Sequence, residues 1–207
     1  MRAFIYTGGV VHREGVTERP EEGDLIIAAD SGYRTAEAFG VTPRILLGDF
    51  DSLGEPNPPK DCEVIRMPVE KDETDTQLAV SCAIDRGAKE IVIIGGLEGR
   101  LDHTLSTVAI LEDLYARRCP AILTNGKNRV RFVRNSGVIL PRSQYRFFSV
   151  IAADPVIKGV TIEGGKYPLK KSKLWRTHQL AVSNEITGNC ALIEIAKGGA
   201  WIVESMD

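Results

Sequence analysis

Four short apolar runs, Ala3–Tyr6, Leu25–Ala29, Ile45–Leu47 and Ile91–Ile94, each give way within a few residues to Gly, Asp or both. Runs this short and continuous suit strands covered on both faces. Between them lie stretches of helical periodicity. One is Tyr33–Phe39. A second is Asp75–Asp85, with Leu78, Ala79, Cys82 and Ala83 on one stripe. A third is His103–Arg118, carrying Leu105, Val108, Ala109, Leu111, Leu114 and Tyr115. Strands alternating with helices predict a largely parallel sheet flanked by helices, an α/β arrangement.

The pattern changes after about Asn125. Short strand-like runs follow: Val130–Val133, Tyr145–Ile151, Val160–Ile162, Leu180–Val182, Leu192–Ile195 and Ala200–Val203. Turn residues such as Asn135-Ser136-Gly137, Thr187-Gly188-Asn189 and Gly198-Gly199 separate them. This rhythm predicts a C-terminal antiparallel β-sandwich. The expected division is an α/β domain over residues 1–130 and a β-sandwich domain over 131–207, with the boundary between 125 and 137.

Composition excludes several classes of function. Among 207 residues, 26 basic and 28 acidic side chains give a formal charge of -2, so no basic excess points to nucleic acid. No polybasic run points to an anionic membrane surface. The N-terminal apolar run is too short for a signal peptide or a membrane span. Cys62, Cys82, Cys119 and Cys190 form no Cys-x-x-Cys pair, which fits a reducing cytoplasm. The three histidines, His12, His103 and His178, show no zinc-ligand spacing.

Three clusters carry chemistry, and all follow predicted strands or open predicted helices. Ligands of open α/β sheets bind beyond the carboxyl ends of the strands. Asp30 ends the second strand. Asp49 and Asp51 follow the third in Gly48-Asp49-Phe50-Asp51-Ser52. In an extended segment the two aspartates face one side, with Phe50 turned inward. Paired carboxylates repel, and a hard divalent cation such as Mg²⁺ relieves that. The same pair is equally compatible with aspartates that cap a turn.

The second cluster is Lys71-Asp72-Glu73-Thr74-Asp75-Thr76-Gln77. Thr74 and Gln77 match a capping box, with Asp75 in the first helical turn. Acidic residues also decorate ordinary helix starts. The third is Gly95-Gly96-Leu97-Glu98-Gly99-Arg100-Leu101-Asp102-His103. Its glycines let backbone N–H groups approach an anion, and Arg100 can grip phosphate oxygens. Asp102 is either a ligand contact or the N-cap of the helix that follows. Neither the P-loop nor the Gly-x-Gly-x-x-Gly pattern is present. Together the clusters point to Mg²⁺-dependent chemistry on a nucleotide phosphate.

At these residues the sequence resembles the thiamine pyrophosphokinase family. The matching strings, in order, are AADSG, GVTPRILLGDFDS, KDETDTQLA and GRLDH, then GGKYPL at Gly164–Leu169 and VSNE at Val182–Glu185. Departures are Ser31 and Tyr33 where the family usually has Gly and Ala, and Leu97-Glu98-Gly99 where a Gly-Gly pair usually precedes the Arg. The resemblance implies pyrophosphate transfer from Mg-ATP to the thiamine hydroxyl, giving thiamine diphosphate and AMP, by a cytoplasmic homodimer. It implies that Asp49, Asp51 and Asp75 hold Mg²⁺ and serve the chemistry. Asp30, Lys71, Asp72, Gly96, Gly99, Arg100, Asp102 and His103 would face metal and nucleotide. Tyr167, Ser183 and Asn184 would meet thiamine. A metal-dependent phosphohydrolase and a non-catalytic thiamine or nucleotide sensor are the alternatives.

Overall fold

The computed structural model describes residues 1–51, 57–70 and 72–207. The chain forms two compact units, Met1–Gly126 and Lys127–Asp207.

The first unit is built on β1 (Arg2–Tyr6), β2 (Leu25–Ala29), β3 (Ile45–Gly48), β4 (Glu63–Arg66), β5 (Glu90–Ile94) and β6 (Ala121–Thr124). Its helices are α1 (Gly32–Phe39), α2 (Asp75–Asp85) and α3 (Leu101–Ala116). The strands lie in the order β6-β5-β1-β2-β3-β4, and every neighbouring pair is parallel. Ala3, Phe4, Ile5 and Tyr6 of β1 are all fully buried, as expected of a strand covered on both faces. Phe4, Tyr6, Val92 and Ile94 pack with Ala36 and Phe39 of α1. Thr7 follows with the opposite parity, and its hydroxyl bonds that of Thr76 in α2. So α1 and α2 cover opposite faces, which right-handed crossovers require when the winding direction reverses.

That reversal fixes where a ligand can enter. From β1 the chain winds outward through β2, β3 and β4. It then returns to the other side of β1 for β5 and continues to β6. The loops after β1 and β5 therefore leave in opposite directions, and a crevice opens between them.

α2 occupies the predicted residues. Its capping box is formed: the Thr74 hydroxyl accepts the Gln77 N–H at 3.3 Å, and the Gln77 side chain accepts the Thr74 N–H at 2.9 Å. α3 begins two residues earlier than the sequence reading and buries Thr107, Ile110, Leu111 and Leu114. Leu105, expected on the buried stripe, is 62% exposed.

The second unit contains β7 (Asn128–Arg134), β8 (Gly137–Pro141), β9 (Phe147–Ala152), β10 (Val156–Glu163), β11 (Leu169–Trp175), β12 (Asn184–Glu185), β13 (Cys190–Lys197) and β14 (Gly199–Ser205). Within the unit, β12-β9-β14-β7 and β11-β10-β13-β8 form two antiparallel layers. Phe148, Val150, Ala200 and Ile202 from one layer meet Ile157, Val160, Ile162, Ile193 and Ile195 from the other in a single core. This is the predicted β-sandwich. Leu180–Val182, read from the sequence as a strand, is not one. Leu180 and Val182 are exposed, and the Ala181 carbonyl accepts the Val150 N–H.

Candidate active site

The crevice of the first unit holds a cavity of about 530 Å³. Five groups of residues line it. Thr7, Gly8 and Gly9 come from the loop after β1, and Asp30 and Ser31 from the loop after β2. Asp49 follows β3, while Asp72, Glu73, Thr74, Asp75 and Thr76 lead into α2. Gly96, Glu98, Gly99, Arg100 and His103 follow β5.

Asp30 and Asp49 share this rim because their strands are neighbours in register, Ala29 pairing with Leu47. The Asp30 N–H donates to the Leu47 carbonyl at 2.7 Å. Asp30 takes a left-handed backbone, φ 46°, which Asp tolerates better than most residues. Phe50 does so too, at φ 64°. For a bulky residue this conformation is strained, and such strain persists only where the surroundings hold it. Here Phe50 is buried against Ala28, Tyr33 and Leu46, so it is the inward anchor that the sequence suggested. The connecting segment is thus a tight left-handed turn, not the extended stretch assumed from the sequence. The Asp51 N–H donates to Asp49 Oδ1 at 3.2 Å across it.

The turn brings three carboxylates together. Asp30, Asp49 and Asp51 each offer an oxygen within 4.8 Å of the others. An octahedral Mg²⁺, bound at about 2.1 Å, separates its ligand oxygens by about 3 to 4.2 Å. The donor set therefore fits a hard divalent cation with small side-chain adjustment. Asp75 and Asp72 line the same cavity but are not members of this group. Lys71 lies outside the described residues.

Across the crevice, two glycine loops face one another. The Gly96 N–H donates to the Gly8 carbonyl at 3.0 Å, and the Thr7 N–H to the Ile94 carbonyl at 2.9 Å. Gly95 needs its freedom: it has φ 112°, and a Cβ there would sit 2.5 Å from the Thr7 carbonyl oxygen. The Thr7-Gly8-Gly9 loop was missed in the sequence, although a Gly-Gly pair directly after a buried strand is a usable signal.

Arg100 occupies the N-cap position of α3 without a capping side chain. Asp102 is therefore in the first helical turn and is not the N-cap. Its carboxylate accepts from Arg100 at 2.6 Å and from the His103 N–H at 2.9 Å. The Arg100 hydrogen bond, helped by the His103 N–H, holds the Asp102 carboxyl below its ordinary value and in turn raises Arg100. Both side chains are well exposed, so the pair supplies orientation more than stability. His103 is exposed at the cavity rim, and its carbonyl accepts the Thr107 hydroxyl.

In the second unit, Tyr167 is 58% exposed, with Lys166 Nζ 5.7 Å from its ring centroid and tied to Glu185 at 2.9 Å. Ser183 is exposed in a left-handed conformation, φ 57°, and its N–H donates to Ser149 Oγ. Asn184 differs from the expectation of a ligand contact. It is 1% exposed, and its side chain is spent on the backbone. Oδ1 accepts the N–H groups of Tyr167 and Glu185, and Nδ2 donates to the Tyr167 carbonyl at 2.8 Å. Its amide thus acts as a rung that holds the Tyr167 segment in place.

Comparison with known proteins gives the same picture for both units. The family model described as thiamin pyrophosphokinase, catalytic domain, matches residues 18–123. The model described as thiamin pyrophosphokinase, vitamin B1 binding domain, matches residues 137–198. The thiamine pyrophosphokinase of Bacillus subtilis (strain 168) is 29% identical over 204 residues, 93% of this chain and 92% of that protein. Thiamin pyrophosphokinase 1 of Caenorhabditis elegans is 28% identical over 177 residues, 81% of this chain and 72% of that protein. The crystal structure of the Bacillus subtilis thiamine pyrophosphokinase superposes with a TM-score of 0.88 at 25% identity, covering 100% of both chains.

Proposed function

The chain belongs to the thiamin pyrophosphokinase family, and on that premise we propose that it transfers the terminal pyrophosphate of ATP to the hydroxyl of thiamine, releasing AMP. The observation that carries this reading is the switch-point cavity, with glycine loops on one side and grouped carboxylates on the other.

Transfer of this kind depends on positioning and charge neutralisation more than on covalent catalysis. Backbone N–H groups of the two glycine loops would orient the phosphates, aided by the positive end of α3. Arg100 would take up charge that builds on the transferring group. Asp30, Asp49 and Asp51 would hold Mg²⁺, with Asp75 and Asp72 beside them; once bound, the ion would supply neutralisation of phosphate charge. Thiamine would rest on the second unit, its positive ring system against the Tyr167 face and its polar groups near Ser183. Asn184 would set the Tyr167 backbone. The working form in this reading is a cytoplasmic homodimer. The four free cysteines favour a reducing compartment, and among the described residues no helix is long and apolar enough to cross a membrane.

Incubation with ATP, Mg²⁺ and thiamine tests the reading directly. AMP should form in step with thiamine diphosphate. ADP as the stoichiometric product would rule out pyrophosphate transfer, and AMP formed without thiamine would favour a phosphohydrolase.

The Tyr167→Ala variant should raise KM for thiamine by a few-fold to about thirtyfold, the range of one aromatic–cation contact, and leave KM for ATP unchanged. Steady-state kinetics with each substrate varied in turn would check this. An unchanged thiamine KM would remove Tyr167 from the thiamine site.

A further inference from the structure

Within the loop after β5, between Gly96 and Gly99, sits a carboxylate, that of Glu98. A negative side chain in a phosphate-facing loop is unfavourable unless it meets something other than phosphate. Its setting is fixed from behind. Glu98 Oε1 lies 3.1 Å from Asn125 Nδ2, which donates to it, and 3.3 Å from His12 Nε2. Asn125 is fully buried at the end of β6, and its carbonyl also accepts the His12 N–H at 2.7 Å. Three segments of the first unit thus converge on one carboxylate oxygen. Oε2 accepts no hydrogen bond from a described residue, and Glu98 is part of the cavity lining.

We propose that Glu98 is a nucleotide-recognition residue that accepts hydrogen bonds from the ribose hydroxyls, so that the enzyme selects ribonucleotides over deoxyribonucleotides. The inference rests on the cavity being the nucleotide site. Phosphate oxygens carry no proton to give and repel a carboxylate. The nearest donors on a nucleotide whose phosphates lie along Gly96 are the sugar hydroxyls, a short ester link away. A carboxylate can accept from vicinal hydroxyls, as acidic residues do at the ribose of dinucleotide-binding folds. Holding Oε1 with Asn125 and His12 leaves Oε2 oriented in advance, which lowers the ordering cost of binding.

The test is equilibrium binding of ATP, 2′-deoxy-ATP and 3′-deoxy-ATP in the presence of Mg²⁺, to the full chain and to Glu98→Gln. The unaltered chain should prefer ATP over at least one deoxy analogue by about tenfold, the scale of one hydrogen bond to a charged acceptor. Glu98→Gln keeps an oxygen for Asn125 but removes the charged acceptor. It should weaken ATP by a similar factor and leave the discriminated analogue nearly unchanged. Equal affinity of the unaltered chain for all three nucleotides would overturn the proposal. So would an equal loss for ATP and the analogues in Glu98→Gln, which would make Glu98 a brace for the loop. Binding of none of the three by the unaltered chain would instead overturn the nucleotide reading of the cavity, and this inference with it.

Discussion

An Asp49→Asn enzyme should form AMP and thiamine diphosphate at least about a hundredfold more slowly than the unaltered chain at saturating ATP and Mg²⁺. Asp49 lines the cavity and belongs to the group of three carboxylates that fit a dication. The substitution preserves shape and hydrogen-bonding capacity toward the Asp51 N–H but removes one charge from that group. A factor of one hundred corresponds to about 2.7 kcal/mol of transition-state stabilisation, modest for a group that fixes a charge-neutralising ion. The metal-free protein should be as stable as before or slightly more so, because one of three mutually repelling charges is gone. A thermal melt in EDTA checks this. Near-normal turnover at saturating Mg²⁺ would remove Asp49 from the metal site. A clear loss of Tm in the metal-free state would point to a structural role instead.

The second large effect concerns packing. Gly32 opens α1 directly over the end of β1. A Cβ at this position would run into the carbonyl of Tyr6, and would lie 2.7 Å from Thr7 Cα. These are backbone atoms of the central strand, which cannot swing aside as a side-chain tip can. Gly32→Ala should therefore cost about 3 kcal/mol, read as a fall in Tm on the order of 10 °C. The sign is diagnostic, since Gly→Ala within an unobstructed helix stabilises by roughly 1 kcal/mol. Gly188→Ala makes a control, because no atom lies within 4 Å of the added methyl. A Gly32→Ala protein as stable as the parent would show that α1 does not approach β1 so closely. Since Asp30 and Ser31 precede Gly32 immediately, nucleotide affinity should fall together with stability.

What the sequence revealed depended on how each strand is covered. β1, β2, β3 and β5 were legible because both faces are buried and nearly every residue is apolar. β4 was not, since Glu63-Val64-Ile65-Arg66 lies at the sheet edge with only Ile65 half-buried. β11 was hidden for a similar reason. In Leu169-Lys170-Lys171-Ser172-Lys173-Leu174-Trp175 only Leu174 is fully buried, and the lysines mask the alternation. Leu180–Val182 shows the converse, an apolar run left exposed outside the ladders. Among site residues, the capping box at Thr74 and Gln77 and the inward anchor at Phe50 were readable from local chemistry. The grouping of Asp30 with Asp49 and Asp51 depends on β2 lying beside β3, a matter of register rather than spacing along the chain. The Thr7-Gly8-Gly9 loop carries a local glycine signal, but its meeting with the loop after β5 depends on β1 lying beside β5, a matter of topology. Asn184 was singled out only through the family resemblance, and its bonds to the Tyr167 backbone arise from the fold.

The position of β1 between β2 and β5 also governs the order of assembly. Its partners on the β2 side emerge early from a growing chain, Ala3 pairing with Leu25. On the other side Ala3 waits for Ile91, about 90 residues further along, and such distant contacts raise contact order and slow folding. Until β5 is synthesised and docked, one edge of a strand that is apolar from Ala3 to Tyr6 stays open, a template for pairing with another chain. The two glycine loops meet only when that edge closes. The proposed nucleotide pocket therefore matures late, and its ability to bind would report completion of the sheet. Chains halted before β5 should self-associate through β1, whereas chains halted after β6 have that edge sealed.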